Sequence, residues 1–210
     1  TNNTAYFNGA GIYLITSSPS LQNCSIESND STGSNSDGVF CMNSSPIFNG
    51  CSISNHSGGS GLWLESASGG TGFSNPTLTK CDILNNNCSW GGGITVLTSS
   101  SVTLQQSDVS YNSGSKAGAI YCEDSSNVNL IECTVSHNTN SGNHGGIYCY
   151  DNSSVSLVDS TVAFNTTSGG LSYGGGITIR KGSAAIVSGC LVNNNIAKYG
   201  GGIYGSWDCT

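Results

Sequence analysis

Charge is what this sequence has least of. Only 8% of its 210 residues are charged, where an ordinary globular domain carries about 25%, and the five cations are four Lys and the single Arg180. Nucleic acids and anionic membrane surfaces are held by clustered cations, so both are excluded as partners. With a net charge of −7, partners are expected to be neutral or cationic. No apolar run approaches the roughly 18 residues of a membrane span. No stretch has the 3.6-residue period of a helix, which excludes a helical or α/β design. The chain opens on Thr1 without an initiator Met or a signal-type stretch, and the expectation is of a soluble, already processed chain.

Glycine is abundant, at 30 residues, and so is cysteine, at 10, in a Ser-, Thr- and Asn-rich background. Cysteine usage of this kind points to an oxidising compartment, hence to a secreted or cell-surface location. Eight Asn-x-Ser/Thr sequons begin at Asn2, Asn23, Asn29, Asn43, Asn55, Asn87, Asn152 and Asn165, and a chain carrying several reads as an extracellular glycoprotein.

A repeat decides the architecture. One element is a small residue followed by an aliphatic and usually an aromatic: Gly11-Ile12-Tyr13, Gly38-Val39-Phe40, Gly61-Leu62-Trp63, Gly93-Ile94-Thr95, Ala119-Ile120-Tyr121, Gly146-Ile147-Tyr148, Gly176-Ile177-Thr178 and Gly202-Ile203-Tyr204. These recur at spacings of 27, 23, 32, 26, 27, 30 and 26 residues. A second element of fixed internal spacing lies between them, as in Pro19-Leu21-Cys24-Ile26, Pro46-Phe48-Cys51-Ile53, Pro76-Leu78-Cys81-Ile83, Val102-Leu104-Ser107-Val109 and Val128-Leu130-Cys133-Val135. All three prolines open this element, a strand start where a missing N–H is tolerated. Five residues after the Cys/Ser column stands Asn29, Asn86, Asn112, Asn138, Asn165 or Asn195, with His56 as the exception. Three short segments of period-2 alternation per repeat of about 27 residues bury their apolar faces only by winding around a common axis. The expectation is one all-β domain over residues 1–210, a parallel β-solenoid of seven to eight coils with three short strands per coil.

The run Asn195-Ile196-Ala197-Lys198-Tyr199-Gly200-Gly201-Gly202-Ile203-Tyr204, like Asn3-Thr4-Ala5 leading to Gly11-Ile12-Tyr13, resembles the Asn-then-Gly-Gly-aliphatic repeat of polymorphic outer-membrane proteins and related surface β-helix proteins. More broadly the chain is similar to the right-handed β-helices typified by pectate lyases, which implies a right-handed coil. That fold hosts lyases, hydrolases, adhesins and structural spikes, so it does not fix a function.

Equivalent residues of stacked coils lie about 4.8 Å apart, so each column becomes a ladder in space. The aliphatics of the first element point inward. Their successors Tyr13, Phe40, Trp63, Tyr121, Tyr148 and Tyr204 are then expected outside, as a stripe that binds sugar rings or a protein, or that loops or attached glycans cover. The Asn ladder is expected to be structural, its stacked amides satisfying turn backbone. That leaves Asn2, Asn43, Asn55 and Asn152 as the better glycan acceptors. Cys24–Cys51 and Cys122–Cys149 fall within disulfide reach, and an unpaired thiol ladder is the alternative. Asp82 with Asp108, Glu132 with Asp159, and Asp124 with Asp151 stack as acidic pairs. Two carboxylates about 5 Å apart match a retaining glycosidase, and Asp82 with Asp108 form a weak Ca2+ candidate. The resemblance implies that a lyase sets an Arg or Lys base beside an acidic Ca2+ site, and a polygalacturonase a set of Asp with His, Arg and Lys. Arg180 and Lys181 are expected away from the acidic pairs, so no catalytic residue and no cofactor is assigned. His56, His137 and His144 lack metal-ligand spacing. Two insertions, 65–75 with Phe73 and 168–173, break the even cross-section where solenoids place specificity.

The sequence opens just after the third strand of a coil and closes after the first strand of another, and neither end has the polar repeat that caps a solenoid. The leading expectation is a segment or subunit of a longer solenoid, an extracellular structural glycoprotein of a fibre or cell-surface stalk, with copies of itself stacked end to end and N-linked glycans as partners. A carbohydrate-binding adhesin using the aromatic stripe is the alternative, and a polysaccharide lyase or glycoside hydrolase a third reading.

Overall fold

Strands of three to five residues are too short to stand alone, and each gains stability only from a neighbour one coil above and below. A computed structural model describes residues 1–33, 36–67 and 72–210, and it meets that need as an all-β parallel solenoid of about seven coils. Three long sheets form its faces. The first-strand sheet runs through Ile12–Ile15, Ser36–Met42, Ser60–Glu65, Ile94–Val96, Ile120–Cys122, Ile147–Cys149, Ile177–Arg180 and Ile203–Ser206. The second holds seven strands from Ser20–Gln22 to Ala184–Ser188, and the third seven from Ser25–Glu27 to Leu191–Asn193. A short fourth sheet, Asn87–Cys88, Ser113–Gly114, Thr139–Asn140 and Thr166–Thr167, adds a two-residue strand to the three expected per coil. Pairing is parallel and in register, so Ile94 lies between Leu62 and Ile120, and Leu104 between Leu78 and Leu130.

Inside, the expected ladders form the core. Val39, Leu62, Ile94, Ile120, Ile147 and Ile177 are fully buried, as are Leu78, Leu104, Leu130 and Leu157 behind the second sheet. Burying each such side chain contributes about 1.5–3 kcal/mol.

The Cys/Ser column turns the corner between the second and third strands. Its thiols and hydroxyls do one job: Cys24, Cys51, Cys81, Ser107, Cys133, Ser160 and Cys190 each donate to the carbonyl two residues earlier, at 2.8 to 3.6 Å. Each of several also accepts from the coil before, as Ser107 Oγ does from the Cys81 N–H at 3.0 Å and Ser160 Oγ from the Cys133 N–H at 3.0 Å. This corrects the expected Cys24–Cys51 disulfide, because both protons are engaged as thiols. Cys122 and Cys149 are register neighbours but are also thiols, in the buried core. A hydrogen bond with Cys122, and then burial, push the Cys149 thiol well above its ordinary value. The alternative of a thiol ladder packing as small hydrophobes is the one this structure adopts.

The Asn ladder lies inside, as expected. Asn86, Asn112, Asn138 and Asn165 are buried, and Asn195 is half-buried near one end. Asn112 Oδ1 accepts both the Asn86 N–H at 2.9 Å and Asn86 Nδ2 at 3.0 Å, and Asn138 Oδ1 treats Asn112 in the same way. Each Nδ2 also donates to a carbonyl of the previous coil, as Asn112 does to Ile83 at 2.8 Å. Asn3 and Asn29 continue the column downward.

Candidate functional site

The outer face of the first-strand sheet is not the open aromatic surface expected of Tyr13, Phe40, Trp63, Tyr121, Tyr148 and Tyr204. Phe40, Trp63, Tyr121 and Tyr148 are buried, Tyr204 is half-buried, and Tyr13 alone is exposed. The segment that leads into each first strand doubles back over that face as a second layer. Its residues are joined from coil to coil by bridges between Gly91 and Ala117, His144 and Tyr173, and Tyr173 and Tyr199. Glycine permits the close approach: a Cβ on Gly91 would stand 2.1 Å from the Ile94 carbonyl oxygen, and one on Gly174, at φ +55°, 2.3 Å from that of Ile177. Trp90 then packs on Trp63 and Tyr121 at 5.6 Å each, and His144 stacks on Tyr148 at 3.8 Å. Burial raises the Tyr121 and Tyr148 hydroxyls and lowers His144 to about 4.

Aromatic rings in this layer and at the ends of the first strands take up four of the five cations. Lys116 lies over Trp90 and Tyr121, Arg180 over Trp207 at 3.9 Å, Lys181 over Tyr150 and Lys198 over Tyr199. Lys181 also pairs with Asp151 at 2.9 Å, which corrects the expectation that the cations stand apart from the acidic pairs. That pair is exposed and weak in water.

The acidic pairs are placed as expected in one respect: Asp82 and Asp108 face each other across neighbouring third strands. Burial raises the Asp108 carboxyl, the Ser110 hydroxyl bonded to it lowers it, Asp82 raises it further and His137 pulls it down. Among the described residues no group of three or more His, Cys, Asp or Glu side chains gathers to hold a metal, so Asp82 and Asp108 lack a third donor of that kind. Glu132 accepts from Gln106 Nε2 at 2.7 Å. A carboxylate that the sequence did not single out, Asp37, is fully buried and accepts from the N–H groups of Ser31 and Gly58 at 3.0 and 2.7 Å, tying two turns together.

Of the favoured sequons, Asn2, Asn55 and Asn152 are exposed, whereas Asn43 is half-buried with its Oδ1 accepting the Ala67 N–H at 3.0 Å. Asn29 and Asn165 are buried in the ladder. Asn23 and Asn87 are exposed as well. Of the two insertions, residues 68–71 lie outside the described residues, and Phe73 beyond them is exposed.

An exposed aromatic row does exist, one corner away from the expected one. Tyr111, His137 and Phe164 immediately precede ladder residues Asn112, Asn138 and Asn165, and their rings stack at 4.9 Å in both steps, within 16° of parallel. Tyr111 and Phe164 are 58% and 49% exposed. The recurrence of a ring before the ladder Asn in three successive coils is the signal that could have found it. Beside this corner the fourth sheet floors a groove of about 230 Å3, lined by Asn87, Ser113, Thr139, Asn140, Ser141 and Ser168 among others. Among the described residues, no charged one lines it.

The family model described as a right-handed β-helix region matches residues 10–173 and, in an overlapping second match, residues 115–210. Nothing among the curated proteins or the solved structures matches the chain.

Proposed function

From the right-handed β-helix family, to which this chain belongs, we propose a non-catalytic structural role in an extracellular fibre or cell-surface stalk whose coils stack end to end. One observation carries this. The inward columns that are sealed in the middle of the molecule are open at its ends: Ile203 is 45% exposed where Ile147 and Ile177 are fully buried, and Val187 is 39% exposed where Leu157 is buried. Ile186, Leu191 and Ile196 are exposed around the same end, and Tyr13 and Ile15 at the opposite one. Unpaired strand edges bearing aliphatic side chains are templates for further β-structure. Further coils in register are the partner proposed for them, supplied in the assembly we propose by copies of the chain.

Exposure of Asn2, Asn55 and Asn152 supports N-glycosylation and hence an extracellular location. The cysteines add little to that argument, because they work here as thiols. The non-catalytic part rests on the cations: four of the five lie against aromatic rings, leaving Lys80, in another column, as the one not so held. The one cation beside an acidic pair, Lys181 against Asp151, is a solvent-exposed ion pair that also lies over the Tyr150 ring, and we read it as a surface contact and not as a lyase-type base. Sugar binding through the first-strand stripe loses its support, since four of its six rings are covered.

Sedimentation velocity and negative-stain microscopy on the secreted glycoprotein test the reading. Concentration-dependent rods one solenoid wide are expected, and strictly monomeric particles at high concentration overturn it.

A further inference from the structure

The two ends of the solenoid differ in the sign of their charge. Residues 1–79, which build the first coils, carry Glu27, Asp30, Asp37 and Glu65 and no Lys or Arg. Residues 180–210, at the opposite end, carry Arg180, Lys181 and Lys198 against Asp208 alone. Three of the five cations of a chain with net charge −7 are thus gathered at one end. Asp37 is buried and turned to the Ser31 and Gly58 N–H groups, but Asp30 is exposed, as are Lys181 and Lys198. The rings over which Lys181 and Lys198 lie attract these ammonium groups without neutralising them.

Open aromatic rings at both ends supply a second, independent observation. At the negative end Tyr6 and Phe7, on the segment that leads into the first strand, are exposed and frame a recess of about 470 Å3 with Ala5, Asn8 and Tyr13. At the positive end Tyr199, on the segment that leads into the last first strand, is exposed, and so is Trp207. Rings of neighbouring coils stack on one another at each end, Tyr13 on Phe40 at 5.0 Å and Tyr173 on Tyr199 at 5.4 Å. Each end therefore presents the last member of a row of rings with one face open to water.

Resting on the end-to-end reading above, we propose that the junction is polar: the end bearing Arg180, Lys181 and Lys198 receives the end of a second copy that bears Glu27, Asp30 and the Tyr6–Phe7 recess. The competing geometry is a two-fold junction, in which an end meets its own kind. It sets Lys181 and Lys198 against the same cations of the second copy, or Asp30 against Asp30, and like charges brought together at an interface oppose association. Only the polar junction brings opposite signs together at every contact along a rod. It is also the heterologous kind of interface, which does not close on itself and so extends into a filament. Strands stay parallel across it, as they are between neighbouring coils at both ends of the molecule.

The test follows rod formation by the full chain in sedimentation and reads the direction of each unit from cryo-electron microscopy. Rods whose units all point the same way are expected. Lys181→Glu with Lys198→Glu makes both ends negative and should raise the concentration at which rods form about ten-fold or more, while circular dichroism stays that of the parent. Adding Glu27→Lys and Asp30→Lys reverses the other end as well and should bring rod formation back toward the parental concentration. Rods whose units alternate in direction, rods that form equally well when the positive end alone is reversed, or a folded fourfold variant that fails to recover overturn the polarity and leave end-to-end stacking standing. A parent chain that forms no rods overturns the end-to-end reading itself, and the polarity with it.

Discussion

His56 fills the one rung of the amide ladder that is not Asn. Its Nδ1 lies 3.1 Å from the Asn29 N–H donor and its Nε2 lies 3.1 Å from the Ile26 carbonyl, so the tautomer that satisfies both carries its proton on Nε2. The imidazole then offers one acceptor where an Asn Oδ1 takes two donors, and Asn29 Nδ2 is left buried and unpartnered. His56→Asn restores the second acceptor and should stabilise the fold by about 1 kcal/mol. Urea unfolding measures this, and a lower midpoint in the variant contradicts the rung assignment. The histidines also set a pH dependence. Burial lowers His56, against opposing bonds to Asn29 and Ile26, and lowers His144 to about 4, helped by Arg180 and Lys116. Both folded values lie below the ordinary value of 6.5, so between the two values the unfolded chain binds more protons. Stability is full above pH 6.5 and is lost as pH falls toward 4. Urea midpoints from pH 7.5 to 4.5 should fall, and fall less steeply in His56→Asn. A flat profile contradicts the burial of both rings.

At the scale of the element, ladders make position within the stack matter more than residue type. Asn112→Ala removes the acceptor for two buried Asn86 donors and should cost on the order of 3 kcal/mol, at 1–3 kcal/mol per orphaned group. Asn195→Ala, near the open end and half-buried, should cost less. In the Cys/Ser column, Cys81→Ser keeps the donor to Thr79 and should stay within about 1 kcal/mol of wild type. Comparable losses for Asn112→Ala and Cys81→Ser in chemical denaturation contradict the two roles. These columns were legible in the sequence, because a hydrogen bond that repeats once per coil demands the same atoms at the same spacing. Tyr111, His137 and Phe164 were not, since a left-handed corner is set by backbone and its exposed side chain varies from Ser28 to Phe164.

For the whole molecule, the period of about 27 residues revealed the winding and the inward aliphatics but not the second layer. Alternation correctly aims Phe40 and Tyr148 away from the core. It says nothing of a segment doubling back over them, and the signal for that was the glycines, whose close approaches place Trp90 and His144 on the rings. Because each coil contacts only its neighbours, stability is a sum over coils. Ile120→Asp, in a sealed coil, buries an unpaired charge and should unfold the chain. Ile203→Asp, at an open end, should leave the circular dichroism of a folded solenoid. Equal damage from both would contradict nearest-neighbour stability.

Cryo-electron microscopy of assemblies formed by the wild-type chain, with Ile203→Asp beside it, tests the structural role most directly. The account predicts coaxial rods with a unit repeat of roughly 35–40 Å, from eight first strands at about 4.8 Å per coil, and their absence in the variant. Side-by-side packing, or rods that persist unchanged in Ile203→Asp, would contradict it.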